Sequence, residues 1–600
     1  MPESQAPTSE NNVLVEIRRV TYTHWNQNTP TLRDVSLQLR PGTLNVLVGP
    51  SGSGKSTLCD LFNGVIPHLY GGEFDGDVWV DGLNTRDVQV KDLAQKVGRV
   101  FQDPETMFAT LYVEDEIAFG AENLRFDAEI IRKMVDDLLL QTDLQSRRHH
   151  LVWNLSGGQI QKLGLASVLA MKPQLIVLDE PTSNLDPGAT HNVHEMVLAL
   201  RDQGMTVLLV TRELDEFLAE ADQLLVMDEG RLLAAGPPRQ VLREHGATMA
   251  GSLGVWLPET SAIGIALQQQ NLLEGEIPIT VEETLAALPP LAAVDAPLAA
   301  ERPGNGATGS QAERLIVARD LHYAYPGGTK ALRGVSLDIH AGEWLMIVGR
   351  NGAGKSTLAR LLVGLTRPQD GSLTLLDRPA QKWKVQKLAN HIALVFQNPE
   401  HQFLTDTVAD EIGYSLLAHG ILDPEEKEAR TAEMLALLGL EEVAGAHPFS
   451  LSAGLKRRLG VATMLAGEPR ILLVDEPTYG QDRQMTHTLV ALMQQIRARG
   501  VAVVMITHDM RLVQEYGERV VVMSEGQILY DGDTSGLFER DALLDAANLR
   551  RTILHDLINS LRREGLPVPQ NLRHTGDFID LLRLQAPERA ASTVQEPEQE

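Results

Sequence analysis

One ordered set of motifs occurs twice in this chain, once in each half. A glycine-rich loop that ends in lysine is present at Lys55 and again at Lys355. The segments Ser156–Glu180 and Ser452–Glu476 carry matching motifs at their two ends and have the same length. Chance does not preserve such spacings, so the two halves are duplicates. A chain of 600 residues is also too long for one hydrophobic core, and we predict one domain per half.

Short apolar runs in each half predict a parallel β-sheet. The runs LIVLDE and ILLVDE, and later TVLLVT and AVVMIT, are apolar without alternation, which is typical of strands buried on both faces. The runs VLVEIRRVTY and LIVARDLHY open the two halves and also predict strands. Helical periodicity follows the glycine loops. The sequence therefore predicts an α/β fold in each half.

Composition excludes several classes of protein. The formal net charge of −27 makes the surface as a whole repel phosphate backbones, which disfavours general nucleic-acid binding. The single cysteine, Cys59, excludes an intramolecular disulfide framework and suits a reducing compartment. No stretch approaches the roughly 18 apolar residues of a membrane-spanning helix, and the N-terminus lacks the features of a signal peptide. We therefore expect a soluble, cytoplasmic chain.

The two glycine loops each follow an apolar strand and precede a helical pattern, which is the context of a phosphate-binding loop. Backbone N–H groups surround the phosphates there, the lysine reaches the β- and γ-phosphates, and the serine hydroxyl ligates Mg²⁺. We predict that ATP and Mg²⁺ bind in the first half to Gly49, Pro50, Ser51, Gly52, Ser53, Gly54, Lys55, Ser56 and Thr57. The corresponding residues of the second half are Gly349, Arg350, Asn351, Gly352, Ala353, Gly354, Lys355, Ser356 and Thr357.

An Asp-Glu pair stands at the end of one apolar strand in each half. The carboxyl ends of parallel strands are where α/β folds place ligands. We predict that Asp179 and Asp475 hold the magnesium together with the loop serines. The neighbouring Glu180 and Glu476 would polarise the attacking water as general bases.

The segment Leu155–Gln159 reads LSGGQ and precedes the first Asp-Glu pair. Together with the motifs above, it makes the chain closely resemble a tandem ABC ATPase. The resemblance implies two P-loop NTPase domains, each with a parallel-sheet core, an antiparallel β part and a helical subdomain that carries the signature. It also implies that the two domains pair head to tail within the chain. Each ATP would then lie between one domain's glycine loop and the other's signature.

The same resemblance assigns roles to single residues. Gln102 and Gln397 would contact magnesium, the attacking water and the membrane partner, and His508 would act at the switch position. Tyr325 would stack on adenine in the second half, whereas the aligned His24 and its neighbour Trp25 leave the stacking residue of the first half open. Asp186 and Asp482 would lie in the loop after the Asp-Glu pair. The signature residues expected at the nucleotide are Ser156, Gly157, Gly158 and Gln159, with Ser452 and Gly454 in the second half.

Two residues or segments depart from the family pattern, and both departures concern the same ATP site. The second signature, Leu451–Leu455, reads LSAGL, and Arg212 stands in the first half where the family carries the switch histidine. In a head-to-tail pair, both departures belong to the site of Lys55. We therefore expect the Lys355 site to hydrolyse ATP and the Lys55 site to bind ATP and turn over slowly. The alternative is neutral drift, with Arg212 still able to reach the γ-phosphate as a cation.

The strings FQDPETMFATLYVEDEIAFG and FQNPEHQFLTDTVADEIGYSL resemble energy-coupling-factor importer ATPases. FNGVIPHLYGGEFDGDVWVDG and DEPTYGQD resemble the fused members of that group, some of which are linked to thiamine-precursor pyrimidines. This resemblance implies an ATPase subunit at the cytoplasmic face of the cell membrane. Its partners would be a transmembrane coupling subunit and a separate substrate-binding membrane subunit of an importer for vitamins, metals or other small molecules.

Two other functions stay open at this point. A fused ATPase of a ribose-type sugar importer shares the tandem layout and the unequal sites. A translation-associated tandem ABC ATPase predicts a long basic linker, but between residues 245 and 312 the only lysine or arginine is Arg302. The charge pattern therefore disfavours the second alternative.

Composition and motif positions also predict the domain boundaries. Each nucleotide-binding domain is followed by a helical segment with a glycine- and proline-containing element, near Gly275 and Gly565. Such extensions help the two domains pair in energy-coupling-factor ATPases, and the alternative is that each packs back on its own domain. The predicted segments are 1–12 disordered, 13–245 first nucleotide-binding domain, 246–290 appendage, 291–312 flexible linker, 313–540 second nucleotide-binding domain, 541–585 appendage and 586–600 disordered tail.

Overall fold

The computed structural model describes residues 13–25, 27–183, 185–273, 275–288, 313–326, 328–478, 483–565, 568–569 and 572–585. The predictions for residues 1–12, 291–312 and 586–600, and for Asp482, lie outside the described residues. Two compact units make up the chain. Within the described ranges, unit one contains residues 13–185, 189–288 and 582–585, and unit two contains residues 186–188 and 313–581.

Unit one is an α/β structure with two sheets. Its strands are β1 (Val15–His24), β2 (Leu32–Leu39), β3 (Leu44–Val48), β4 (Gly72–Val80), β5 (Leu83–Asn84), β6 (Val97–Val100), β7 (Leu175–Asp179), β8 (Thr206–Val210), β9 (Gln223–Asp228) and β10 (Arg231–Gly236). Its helices are α1 (Lys55–Phe62), α2 (Val65–His68), α3 (Val90–Leu93), α4 (Val113–Asn123), α5 (Ala128–Gln141), α6 (Gly157–Leu169), α7 (Pro187–Asp202), α8 (Pro238–Ala250), α9 (Glu259–Gln269) and α10 (Val281–Ala287).

The six-stranded sheet of unit one has the order β10-β9-β3-β8-β7-β6 and is parallel except for β10. The antiparallel sheet has the order β2-β1-β4-β5. Every residue of β3, β7 and β8 is buried, since both faces of the sheet are covered. Val46 and Ile176 contribute to the core on one side, and Leu47 and Val177 pack with α1 and the antiparallel sheet on the other.

Unit two repeats this plan. Its strands are β11 (Arg314–Ala324), β12 (Lys330–His340), β13 (Trp344–Val348), β14 (Asp370–Leu375), β15 (Arg378–Pro379), β16 (Ile392–Val395), β17 (Ile471–Asp475), β18 (Ala502–Ile506), β19 (Arg519–Ser524) and β20 (Gln527–Asp533). Its helices are α11 (Lys355–Leu362), α12 (Val385–Leu388), α13 (Val408–Ala418), α14 (Pro424–Leu438), α15 (Ala453–Leu465), α16 (Arg483–Ala498), α17 (Met510–Tyr516), α18 (Thr534–Phe538), α19 (Asp541–Ala546), α20 (Ile553–Arg563) and α21 (Thr575–Gln585).

The sheets of unit two have the orders β16-β17-β18-β13-β19-β20 and β12-β11-β14-β15. In each unit, three helices stand beside the main sheet and carry the signature segment: α4, α5 and α6 in unit one, and α13, α14 and α15 in unit two. Ile117, Val135 and Leu163 form part of a separate apolar core among the first three. The predicted α/β fold, with a parallel core, an antiparallel part and a helical subdomain, is confirmed in both units.

The segment after the first nucleotide-binding domain packs on its own unit. Helix α8 runs through residue 245, where the sequence predicted a boundary, so the chain is continuous in structure there. Leu257, Ile265 and Ile277 share one apolar core with Val46 of the main sheet. The Thr260 hydroxyl donates to the carbonyl of Ile279 at 2.8 Å and joins the end of this segment to α9.

Helix α20 of unit two is amphipathic. It buries Leu554, Leu557, Ile558 and Leu561, which lie at the spacing of one helical face. Among the described residues, no helix has both the length and the apolar character needed to cross a bilayer.

Candidate nucleotide-binding sites

Each glycine loop joins a buried parallel strand to the start of a helix. The loop of unit one runs from β3 to α1, and that of unit two from β13 to α11. Gly54 and Gly354 precede the helices with φ of 97° and 100°, a left-handed conformation that favours glycine. A Cβ atom at Gly49 would lie 2.2 Å from the backbone oxygen of Met227. The glycines are therefore required by the course of the backbone.

The helix starts offer donors that suit a phosphate. The first N–H groups of an α-helix have no partner within the helix, and no described side chain caps α1 or α11. Acceptor oxygens of a polyphosphate would satisfy these groups at the positive end of the helix dipole. The predicted residues Gly49–Thr57 and Gly349–Thr357 all lie in these two segments, and their contact with nucleotide stays a prediction.

Both loop lysines are buried, and burial disfavours their charged forms. The Lys55 ammonium donates to the carbonyls of Gly49 and Pro50 at 2.7 and 2.8 Å, and Lys355 donates to the carbonyl of Gly349 at 2.6 Å. Burial lowers the pKa of Lys55 to about 8 against the opposing effect of Glu180, and it lowers the pKa of Lys355 as well. A polyanion in the cradle would favour the charged form of both lysines.

The predicted carboxylates lie beside these lysines. Asp179 and Asp475 end β7 and β17, and the next residues are the predicted bases. Glu180 and Glu476 both have φ of 49°, which is uncommon for a residue other than glycine. Local strain of this kind is kept where the surrounding structure fixes it, often at active sites.

In unit one, both oxygens of Glu180 are engaged. The guanidinium of Arg212 donates from Nε to Oε1 at 2.7 Å, and the side-chain amide of Gln102 donates to Oε2 at 3.1 Å. The Glu180 side chain is 10% exposed, so this ion pair is largely shielded from solvent. Because a guanidinium does not lose its proton in a protein, the cation at this carboxylate is permanent.

In unit two, the equivalent cation can titrate. His508 donates from Nδ1 to Oε1 of Glu476 at 2.9 Å. Burial acts to lower the pKa of His508, but the charge of Glu476 and the hydrogen bond to it prevail and raise that pKa to about 9. Gln397 follows β16 and is exposed, and its contact with magnesium stays a prediction.

The two aspartates have different neighbours. Arg99 on β6 is buried and contacts Asp60 of α1 and Asp179, the latter through Nη2 at 3.0 Å. In unit two, the hydroxyl of Ser356 hydrogen bonds to Asp475, and burial raises the pKa of that carboxyl. The pair of Ser356 and Asp475 brings together two oxygen donors of the kind that Mg²⁺ prefers, so unit two fits the predicted metal.

Sequence reasoning missed this arginine cluster. The positions equivalent to Arg99 and Asp60 are Leu394 and Arg360, so the second unit has neither the arginine nor its first partner. A comparison of RVFQ with LVFQ shows one of the two changes. The contact itself joins residues far apart in the sequence and needs the fold to be seen.

The signature helices differ at their N-termini. Ser156 and Gln159 form a capping box at the start of α6, in which each side chain accepts from the other residue's backbone N–H. Ser452 caps α15 by accepting from the backbone of Leu455 at 3.4 Å. Because leucine has no acceptor, the second half of the box is lost. The contact of Gly157, Gly158 and Gly454 with nucleotide stays a prediction.

The predicted stacking residues lie at the ends of the first strands. Tyr325 follows β11, is 37% exposed, and its hydroxyl lies 2.9 Å from the hydroxyl of Thr357 in the glycine-loop helix. His24 packs edge-on against the buried Tyr22, whereas Trp25 is 82% exposed. Tyr325 is therefore well placed to stack on a nucleotide base beside the glycine loop of unit two. In unit one, Trp25 is the more exposed of the two candidate rings.

In each unit, a buried glutamate binds the backbone of the segment that follows Gln102 or Gln397. These two glutamates were not singled out from the sequence. One carboxylate oxygen of Glu116 accepts from the backbone N–H groups of Ala109 and Thr110 and from the Thr110 hydroxyl at 2.8–3.0 Å. Glu411 makes the same three contacts with Leu404 and Thr405. The repeated Asp-Glu-Ile strings were the available signal.

Comparison with known proteins agrees with this geometry. The profile of the family described as "ABC transporter" matches residues 32–183 and 332–479. A "Putative ABC transporter ATP-binding protein" of Methanosarcina mazei is 36% identical, with 93% of this chain and 96% of that protein covered. The "Putative HMP/thiamine import ATP-binding protein YkoD" of Bacillus subtilis is 35% identical, with 90% and 96% covered.

A solved structure of cbiO1 from Clostridium perfringens, described as part of the ABC transporter complex cbiONQ, is 30% identical over 40% of this chain and 95% of that chain, with a TM-score of 0.36. Both glycine loops and both signature segments lie within the residues that match the family profile. The chain belongs to the ABC transporter family, as a tandem ATP-binding protein with ATPase activity.

Proposed function

We propose that this chain is the ATPase subunit of an energy-coupling-factor type importer with unequal ATP sites. The Lys355 site would hydrolyse ATP rapidly, and the Lys55 site would hold ATP and turn over slowly. The observation that carries the proposal is the contrast at the two bases: Glu180 is paired with Arg212, and Glu476 with His508.

The residues of unit two can perform the hydrolytic step. Glu476 accepts a hydrogen bond from His508 on one oxygen, and it would take a proton from the attacking water as general base. Lys355 would hold the β- and γ-phosphates, and Ser356 with Asp475 would hold Mg²⁺. The metal would neutralise developing charge on the phosphates when bound.

The residues of unit one are arranged less favourably for the same step. Arg212 and Gln102 engage both oxygens of Glu180, so a water would have to displace one of them before the carboxylate could act. Arg99 engages Asp179, which weakens that carboxylate as a metal ligand because its negative charge is already compensated. Arg212 can still contact the γ-phosphate as a cation, which supports binding without rapid hydrolysis.

The pairing of the two units is part of the proposal. Head-to-tail pairing within the chain would bring the altered signature to the Lys55 site and the LSGGQ signature to the Lys355 site. The lost capping bond at Leu455 would leave the start of α15 less rigid, and this helix start would then face the slower site. All the departures from the family pattern would then lie at the same ATP, the one bound at the Lys55 site.

A membrane partner fits the exposed aromatic side chains of the helical subdomains. Phe119 and Tyr414 occupy equivalent positions on α4 and α13, and Trp153 and Phe449 occupy equivalent positions before the signatures. All four are exposed. We propose that they receive a transmembrane coupling subunit at the cytoplasmic face of the membrane, with a separate membrane subunit that binds the substrate. The import relative supports a small heterocyclic vitamin precursor as that substrate.

The unequal sites are tested with matched variants. Glu476→Gln should reduce the steady-state ATPase rate at least a hundredfold, since loss of a positioned base typically costs 10²–10⁴. Glu180→Gln should leave at least a third of the rate and should still bind a fluorescent ATP analogue. The assignment is wrong if Glu180→Gln abolishes turnover while Glu476→Gln leaves most of it.

The partner is tested by purification from detergent-solubilised membranes. The wild-type chain should retain an integral membrane protein, and the double variant Phe119→Ser/Tyr414→Ser should lose it while keeping its nucleotide affinity. Leu140→Ser, which also removes an exposed apolar side chain of unit one, serves as the control. Retention by ribosomes in place of membranes would contradict the importer proposal.

A further inference from the structure

Two histidines and a glutamate converge in unit one, away from the glycine loop. His191 and His194 lie one turn apart on α7, and Glu216 lies in the segment after Arg212. The Oε2 atom of Glu216 lies 3.8 Å from Nδ1 of each histidine. One ligand atom from each of the three residues can be chosen so that all lie within 4.8 Å of one another.

These distances suit a shared ion better than hydrogen bonds. A hydrogen bond between nitrogen and oxygen needs about 2.7–3.2 Å, which is shorter than either contact. Two ligands of one tetrahedral zinc ion, each bound at about 2.0–2.1 Å, lie roughly 3.4 Å apart. Small rotations of the three side chains would therefore place an ion between them.

The ring nitrogens provide an independent observation. Nδ1 of His191 and both ring nitrogens of His194 are buried and have no hydrogen-bond partner among the described residues. Leaving a buried polar atom unsatisfied costs about 1–3 kcal/mol, and native structures keep few of them. An ion at the centre of the cluster would give a partner to one nitrogen of each ring.

We propose that His191, His194 and Glu216 bind a divalent transition-metal ion of the zinc class. Imidazole nitrogens with one carboxylate are ligands for Zn²⁺, Co²⁺ and Ni²⁺, whereas Mg²⁺ and Ca²⁺ prefer oxygen. Three protein ligands leave a fourth tetrahedral position for water. This site is separate from the nucleotide magnesium and does not depend on the proposed import function.

The second unit lacks two of the three ligand residues, so its equivalent helix, α16, shows the fold without the site. The residues equivalent to His194 and Glu216 are Val490 and Leu512. The equivalent of His191 is His487, whose Nδ1 lies 3.0 Å from the hydroxyl of Tyr516. The duplicated helix therefore has no need of these ligands for folding, and the polar cluster is specific to unit one.

A bound ion would connect the segment that carries Arg212 and Glu216 to helix α7. Glu216 lies four positions after Arg212, which pairs with the base Glu180. Leu214 and Phe217 in the same segment are buried in the core of unit one. An ion joined to α7 would fix this segment from its other side and stabilise unit one when bound.

The test uses the untagged full-length chain with excess Mg²⁺ and without nucleotide. Titration with Co²⁺ should give one ion per chain and the visible absorption of a tetrahedral site, and Zn²⁺ should displace it. The variant Glu216→Gln should lose at least tenfold in affinity, since even indirect support of a metal ligand is worth 10–100-fold. His194→Gln should behave in the same way. His149→Gln removes an exposed histidine that pairs with Glu114 at 2.7 Å and should bind as the wild type does.

A second measurement separates binding from folding. Zn²⁺ should raise the thermal midpoint of the wild type, and this rise should disappear in Glu216→Gln, a change at a partly exposed residue that preserves shape. The metal-free midpoints of the two proteins should agree within a few degrees. Equal Co²⁺ affinity in the wild type and both ligand variants would overturn the proposal, as would the absence of tetrahedral absorption in the wild type. The cluster would then be a histidine–carboxylate ion pair.

Discussion

The buried arginine of unit one allows a quantitative test of the site. We consider Arg99→Leu, which introduces the residue that the second unit has at this position. Arg99 is 6% exposed and compensates Asp60 and Asp179, whose side chains are 15% and 9% exposed. The substitution leaves both carboxylates buried without their cation, which typically costs about 3–5 kcal/mol. At roughly 2–4 °C per kcal/mol, the melting temperature of unit one should fall by at least about 6 °C.

The assay is thermal unfolding. It is monitored through the fluorescence of a nucleotide analogue bound to unit one, which is lost when that unit unfolds. The double variant Arg99→Leu/Asp60→Arg copies the pair Leu394 and Arg360 of the second unit, and we expect it to recover at least half of the lost stability. Burial already raises the pKa of Asp60 against the effect of Arg99, so the single variant should raise it further. Its destabilisation should therefore shrink as the pH falls from 8 to 5, because a carboxyl with a raised folded-state pKa favours the folded state when protonated.

The reasoning is refuted if Arg99→Leu melts within 2 °C of the wild type, or if its deficit is independent of pH. It is also refuted if the double variant is less stable than the single one. In that case the ion cluster would not be what holds the two aspartates in the fold.

Three further predictions follow from local contacts. The pair of His508 and Glu476 should contribute stability in full below pH 6.5 and lose it as the pH rises through about 9, so urea midpoints of the wild type and His508→Gln should converge above pH 9. Gln159→Leu should remove half of the capping box of Ser156 and destabilise unit one by about 0.5–1 kcal/mol in urea unfolding. Glu411→Gln should cost at least about 1 kcal/mol, since an amide oxygen binds the three donors more weakly, and should weaken membrane-partner retention more than ATP binding.

Local pattern was enough to place the phosphate loops and the carboxylates. Glycine loops require left-handed backbone at fixed positions, and Gly54 and Gly354 have that conformation. Fully apolar runs ending in Asp-Glu became the buried strands β7 and β17. These features are local, because each depends on residues within a few positions of one another.

Contacts between distant segments could not be predicted in the same way. Arg99 is 39 positions from Asp60 and 80 positions from Asp179. The adjacency of β6 and β7 brings Arg99 to Asp179, and the position of α1 beside the sheet brings Asp60 to Arg99. Residue 245, where the sequence predicted the end of the first nucleotide-binding domain, lies inside α8, and this domain boundary stays a prediction. The contact of Arg212 with Glu180 joins the segments that follow β8 and β7, and the sequence showed only the departure at the switch position.

Under the proposed division of roles, the charges around the two glycine loops would favour ATP binding in unit one and ATP hydrolysis in unit two. In unit one, Lys55, Arg99 and Arg212 surround Asp179 and Glu180, and two of these three cations are arginines that keep their charge. Arg212 also acts to lower the pKa of Lys55, which a polyanion would reverse. On the proposed roles, the gain in free energy from binding the tetra-anion ATP here would be large, while the gain from adding Mg²⁺ beside an already compensated Asp179 would be small.

Unit two has the opposite balance. Asp475 contacts the Ser356 hydroxyl and has leucine in place of arginine at the position equivalent to Arg99, and the cation at Glu476 is an imidazolium that can release its proton. Catalysis needs a carboxylate that can change its partner during the reaction, whereas tight binding needs only fixed positive charge. Under the proposed division of roles, the exchange of one histidine for arginine, with the added buried arginine, would separate binding from turnover between two otherwise similar domains.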